Sequence, residues 1–135
     1  MEIVMDANVF VAALLKNGVT RKLLLNDELV RYTPEYVIEE IFDHIYELEK
    51  KSHLPKESLV ELVKVLFIES KMIIVPKDEL RPYIKNADEI SPDSDDVMYF
   101  ATALKINCGI WSNDKDLQTQ KVVKIYSTND MMALL

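Results

Sequence analysis

The stretch "SPDSDDVMYFATALKINCGIWSNDKDL", Ser91 to Leu117, sets Asp93, Asp95 and Asp96 ahead of an apolar helical run. Asp114 and Asp116 follow a short hydrophobic strand in the same stretch. Asp6 ends the apolar run "EIVM", and Glu40 lies a turn and a half past Pro34. Like charges at close range repel, so such crowding destabilises a fold unless a cation or a shared proton offsets it. Carboxylates drawn from separate elements are the oxygen donors that Mg²⁺ or Mn²⁺ takes, with room for retained water. Other chemistries lack their parts. No serine has a plausible histidine partner, since the only histidines are His44 and His53 on a polar helical stretch. Gly18 and Gly109 stand alone, which leaves no glycine-rich phosphate loop. Hydrolysis by a metal-activated water is the chemistry that remains.

The elements around these acids alternate between strand and helix. "EIVM" reads as a first strand, and "ANVFVAALL" as a helix ending near Asn17-Gly18. "TRKLLLND" reads as a second helix capped by Thr20, and "LVRYT" as a second strand. "PEYVIEEIFDHIYELEKKS" reads as one long helix with Pro34 in its first turn and a stripe of Val37, Ile41, Ile45 and Leu48. A further helix from Pro55 completes a hairpin, and "MIIV" is the third strand. A short helix around Leu80–Ala87 precedes a helix capped by an aspartate, with Asp95 favoured. "GIWS" and "VVKIYS" are the fourth and fifth strands, and "NDMMALL" is a closing helix capped by Asn129 or Asp130. This alternation predicts an α/β fold with a doubly wound parallel sheet. Ligands of such sheets bind beyond the carboxyl ends of the strands. Asp6, Glu40, Asp96 and Asp114, each on a different element, are therefore expected in one cleft.

A chain of 135 residues, 49% apolar and 29% charged, has the proportions of one globular domain spanning 1–135. No apolar stretch is long enough for a membrane, and the N-terminus lacks a signal-peptide layout, so a cytoplasmic protein is expected. The lone Cys108 excludes an internal disulfide and a cysteine-rich zinc site. Sixteen basic against 23 acidic side chains give a net charge of −7, which argues against broad attraction to nucleic acid but not against a metal-assisted site. Each acid also has a plainer role: Asp95 or Asp96 as a helix cap, Glu40 as a solvated helix residue, Asp116 as a turn cap. Asp6 is hardest to assign that way, because a carboxylate ending a buried strand is costly to desolvate without a partner.

Four segments together resemble the PIN domain family. "IVMDANVFVAALL" is similar to its opening motif and "TPEYVIEEI" to its second; "DSDDVMYFATAL" and "IWSNDKDL" are similar to the third and fourth. Their order and spacing span essentially the whole chain. The resemblance implies a single PIN-like domain, with a central parallel five-stranded sheet flanked by helices and a helical hairpin between strands two and three. It implies a metal-dependent ribonuclease with a catalytic quartet of Asp6, Glu40, Asp96 and Asp114. Asp6, Asp96 and Asp114 would hold Mg²⁺ or Mn²⁺ with Asp116 as an auxiliary ligand, and Asn8 and Asn113 would support them.

RNA is then the expected substrate, an antitoxin a possible partner, and self-association as a homo-oligomer, a dimer above all, is expected. Lys16, Arg21, Lys22, Lys115 and Lys121 could border the cleft as backbone contacts. Ala7 and Ser112-Asn113 depart from the family's pattern, which has threonine after the first aspartate and Thr-Arg before the last. The missing arginine removes a phosphate contact and leaves open a catalytically weak or inactive module that binds RNA or a protein. A phosphatase would need a second aspartate where Asn8 stands, and a receiver domain a carboxylate at the end of "MIIVP", where Pro76 stands.

Overall fold

The computed structural model describes all 135 residues. The first strand, β1 (Glu2–Met5), buries Ile3, Val4 and Met5 and occupies the middle of a five-stranded sheet of order β3-β2-β1-β4-β5. β2 (Val30–Pro34) and β4 (Gly109–Trp111) flank it, with β3 (Ile73–Val75) and β5 (Ile125–Tyr126) at the edges, and all pairings are parallel. A central strand with both faces covered reads as a continuous apolar run, as this one does. The chain turns one way from β1 to β2 and the other way to β4, so the crevice between β1 and β4 is the switch point where open α/β sheets bind ligands.

Eight helices cover the two faces, as the α/β expectation requires. α1 (Ala7–Leu15) and α2 (Val19–Leu24) connect β1 to β2. The hairpin between β2 and β3 contains α3 (Tyr36–Asp43), α4 (Ile45–Ser52) and α5 (Lys56–Glu69). α6 (Lys77–Ile90) and α7 (Val97–Ile106) join β3 to β4, and α8 (Thr128–Leu134) closes the chain. The core runs through the sheet to Phe10, Leu24, Ile41, Leu59, Leu80, Phe100 and Trp111, all at most 1% exposed. No helix is long and apolar enough to cross a membrane.

Several local expectations change. The long helix after β2 breaks at His44, where φ −94° and ψ 0° leave the helical basin. The break lets α3 pack on α1 while α4 packs on α5, and the stripe Val37, Ile41, Ile45, Leu48 stays buried on both sides of it. Pro34 is the last residue of β2, paired with Val75, and not part of a helical turn. α2 begins at Val19 with Gly18 as its cap, leaving Thr20 inside the helix. α6 is longer than the span Leu80–Ala87; Pro82 removes one helical donor, but Leu80 and Ala87 bury against α7 and hold the turns on either side. The fifth strand shrinks to two residues, Ile125 and Tyr126, paired with Ile110 and Trp111 of β4. Ser127, with Asp130 in reciprocal hydrogen bonds, caps α8 in place of Asn129 or Asp130 alone.

Candidate active site at the switch point

Asp6 is the first residue past β1 and only 5% exposed. Its backbone is extended, and its Oδ1 accepts from the backbone N–H of Asn8 at 3.3 Å, so it caps α1. Its Oδ2 accepts from the Ser112 hydroxyl at 2.6 Å, and the backbone N–H of Asp6 donates to the Trp111 carbonyl at 3.2 Å. Desolvation raises the Asp6 pKa above the usual carboxylate value, and repulsion from Asp114 adds to it. The bonds from Ser112 and Asn8 oppose that rise.

Ser112 ties two acids together. It is fully buried at the end of β4, and its Oγ also accepts from the backbone N–H of Asp114 at 3.1 Å. Asp114 is exposed, starts the 3-10 turn Lys115–Thr119, and accepts from the N–H of Asp116 at 3.0 Å. Asp96 ends a separate 3-10 turn, Ser94–Asp96, immediately before α7. It makes no capping bond to α7, and the cap of the turn is Asp93, whose Oδ1 accepts from the N–H of Asp95 at 2.9 Å. Asp95 is thus not the cap of α7.

Glu40, half-buried on α3, and Asp96, half-buried before α7, are the most perturbed acids. Desolvation first, then repulsion from Asp6, Asp96 and Asp95, pushes Glu40 up to about 7, against a lowering influence from the Tyr99 hydroxyl. Desolvation, then repulsion from Asp6, Asp93, Asp114 and Asp95, pushes Asp96 up to about 7. Asp6 and Asp96 therefore link the cluster across the β1–β4 crevice, Asp96 acted on by Asp6 and Asp114, and Glu40 by Asp6 and Asp96. Asp116 is exposed and is not among the groups that raise Asp6, Glu40 or Asp96.

Supporting groups differ from expectation. Asn8 contributes its backbone N–H to Asp6, while its side chain is exposed and makes no hydrogen bond. Asn113 turns away to α8, donating to Thr128 Oγ1 at 2.9 Å and accepting from the Thr128 N–H at 2.8 Å. Arg21 does not border the cleft as a free cation: its Nε and Nη2 donate to the Ala13 and Leu14 carbonyls at the end of α1. Lys16, Lys22, Lys115 and Lys121 are exposed and form no ion pair. His44 pairs loosely with Glu47 at 3.8 Å and takes no part in the cleft. A cavity of about 560 Å³ is walled by Tyr36, Glu39, Asp95 and Met98, with Lys77 its one cation, and none of Asp6, Glu40, Asp96 and Asp114 lines it. Ser112 and Tyr99 were missed by the sequence reading; the signal available for Ser112 was a small hydroxyl residue between a buried strand and Asp114.

The donor set, carboxylate oxygens throughout, fits a hard divalent cation, and its mutual repulsion is of the kind a cation relieves. No three of these side chains already stand at the spacing of a formed metal site.

No functionally curated protein matches the sequence. The model of the PIN domain family matches residues 4–134. Among solved structures, a chain of VapBC2 from Rickettsia felis, crystallised bound to a DNA fragment from their promoter, superposes with a TM-score of 0.71 at 14% identity. The match covers 94% of this chain and 98% of that one, and at this identity it speaks for the fold. A family match over nearly all residues, on a sheet with its acids at the switch point, means that this chain belongs to the PIN domain family.

Proposed function

We propose that the protein is a metal-dependent endoribonuclease that hydrolyses RNA phosphodiesters at the cluster of Asp6, Glu40, Asp96 and Asp114. The observation that carries this reading is the convergence of four carboxylates from four elements on one crevice, two of them raised to about 7 by burial and mutual repulsion. PIN domains are generally nucleases, which agrees with it. Asp6, Asp96 and Asp114 would hold Mg²⁺ or Mn²⁺, with Glu40 close by. When bound, the ion supplies water activation and charge neutralisation at the phosphate. Asp6, fixed by Ser112 and Asn8, provides the rigid donor. Asp114, anchored through its N–H to Ser112, is kept in register with it.

As in the expectation from the sequence, the protein is proposed to be the toxin of a toxin–antitoxin pair, and the fold shared with a VapBC2 chain supports this. The antitoxin would place basic residues in the acidic cleft, where charge complementarity favours them. A second reading, docking without cleavage, is favoured by the scarcity of cations around the cleft.

Calorimetric titration of Mn²⁺ into the wild-type protein and Asp6→Asn, followed by cleavage of short single-stranded RNAs with and without chelator, separates the two. Micromolar to millimolar binding lost in Asp6→Asn, with chelator-sensitive cleavage, is the expected result. Metal-dependent cleavage that survives Asp6→Asn overturns the assignment.

A further inference from the structure

Two buried side-chain polar atoms in the molecule lack a hydrogen-bond partner, Arg31 Nε and Tyr99 Oη. Arg31 is explained by its other nitrogens, which clamp the carbonyls of Asn26, Leu29 and Ser70 and tie the start of β2 to the end of α5. Tyr99 has no such account. It sits in the first turn of α7, three residues after Asp96, and is 1% exposed. Its hydroxyl already faces the Glu40 carboxylate closely enough to lower that acid's pKa, yet no bond of full hydrogen-bond geometry holds the two together. Buried hydroxyls are nearly always satisfied, so an orphan one beneath a cluster of acids calls for a partner in another state of the site.

We propose that Tyr99 is a positioning residue whose hydroxyl donates to the Glu40 carboxylate and holds it turned inward among Asp6, Asp96 and Asp114. The inference rests on the metal-site reading above. Glu40 projects from the middle of α3 on a side chain with three rotatable bonds, and the Tyr99 hydroxyl is the one donor that acts on its carboxylate. Four carboxylates turned toward one point repel unless a cation lies among them, so the inward orientation belongs to the cation-loaded protein. A charge-assisted bond from a rigid, buried phenol would then select that orientation, as outer donors do for ligating carboxylates elsewhere. Phenylalanine at this position would fill the same space in the core and lose only the donor.

The test is Mn²⁺ titration by calorimetry on the full chain, comparing wild type, Tyr99→Phe, Glu40→Gln and the double variant, with thermal melts in the absence of metal. Tyr99→Phe is expected to melt at or above the wild-type temperature, because an unsatisfied polar atom has been removed, while binding Mn²⁺ about tenfold more weakly. In the Glu40→Gln background the same substitution is expected to leave Mn²⁺ affinity unchanged. A merely structural tyrosine would show the reverse pattern: a lower melting temperature and an unaltered dissociation constant. Equal Mn²⁺ affinity in wild type and Tyr99→Phe, or an undiminished effect in the double variant, overturns the positioning role alone. Absence of Mn²⁺ binding by the wild-type protein overturns the metal reading, and the positioning role with it.

Discussion

Stability without metal should fall as the solution becomes more alkaline, the opposite of what paired surface carboxylates produce. Glu40 is raised from 4.5 to about 7 and Asp96 from 3.8 to about 7, so between pH 4 and 7 the folded protein holds protons that the unfolded chain has released. Stability changes with pH in proportion to the protons bound unfolded minus those bound folded, and that difference is negative in this window. The contribution of both groups is complete below about pH 4 and is lost as pH rises through 7. At full strength each displacement would correspond to roughly 3–4 kcal/mol. Both side chains are half-exposed, and solvent screening reduces each to about 1 kcal/mol, or about 2 kcal/mol together. For a chain of this size that is a fall in Tm of about 5–10 °C. The depressed pKa of Asp130 acts in the other direction but below pH 4, outside the window. Thermal melts in chelator from pH 5 to 8 would show the decline, Asp96→Asn should halve it, and saturating Mn²⁺ should flatten it. A Tm that is constant or rises over that range in the metal-free protein would refute the reasoning.

Ser112→Ala removes the 2.6 Å bond to Asp6 and should cost about 2 kcal/mol in urea unfolding, with Asp6 pushed further up. Gly109→Ala would place a methyl 2.5 Å from Tyr126 Cε2 and 2.7 Å from the Lys124 carbonyl. That carbonyl accepts from Ile110 in the β4–β5 ladder, so a loss of about 2–3 kcal/mol is expected in the same assay. Asp114→Asn should weaken Mn²⁺ binding by about tenfold or more, whereas Asp116→Asn should change it by less than about threefold in calorimetric titration.

The sheet and the location of the acids were legible because they rest on strong, local signals. Apolar runs such as "EIVM" and "GIW" are short, and each stops at a polar residue that cannot stay in the core. Strand-end acids follow from that stop. The bend at His44 was not legible, because the apolar stripe continues through it at helical spacing and only packing on α1 and α5 decides where the chain turns. Caps misread by one or two residues, Asp95 for Asp96 and Asn129 for Ser127, depend on backbone angles that several neighbouring Asx and Ser residues could satisfy. Arg21 looked like a rim cation because charge suggests solvent, whereas its guanidinium serves the open carbonyls of α1. Tyr99 reads in sequence as one more apolar helix position; its importance lies in a buried hydroxyl that faces Glu40 without a bond of full geometry, which only three dimensions reveal.

The bond between Ser112 and Asp6 joins residues 106 positions apart. At ordinary synthesis rates of 5–20 residues per second, about 5–20 s separate the making of one partner from the making of the other. Throughout that interval the nascent chain has its first aspartate but no fourth strand to bring Ser112 and Asp114 beside it. A chain that stops early, or is clipped before β4, lacks Asp114 and the Ser112 hydroxyl that holds Asp6, however well its first strands pair. For an enzyme directed at RNA, such an order of assembly delays its activity until the messenger encoding it has been almost completely read.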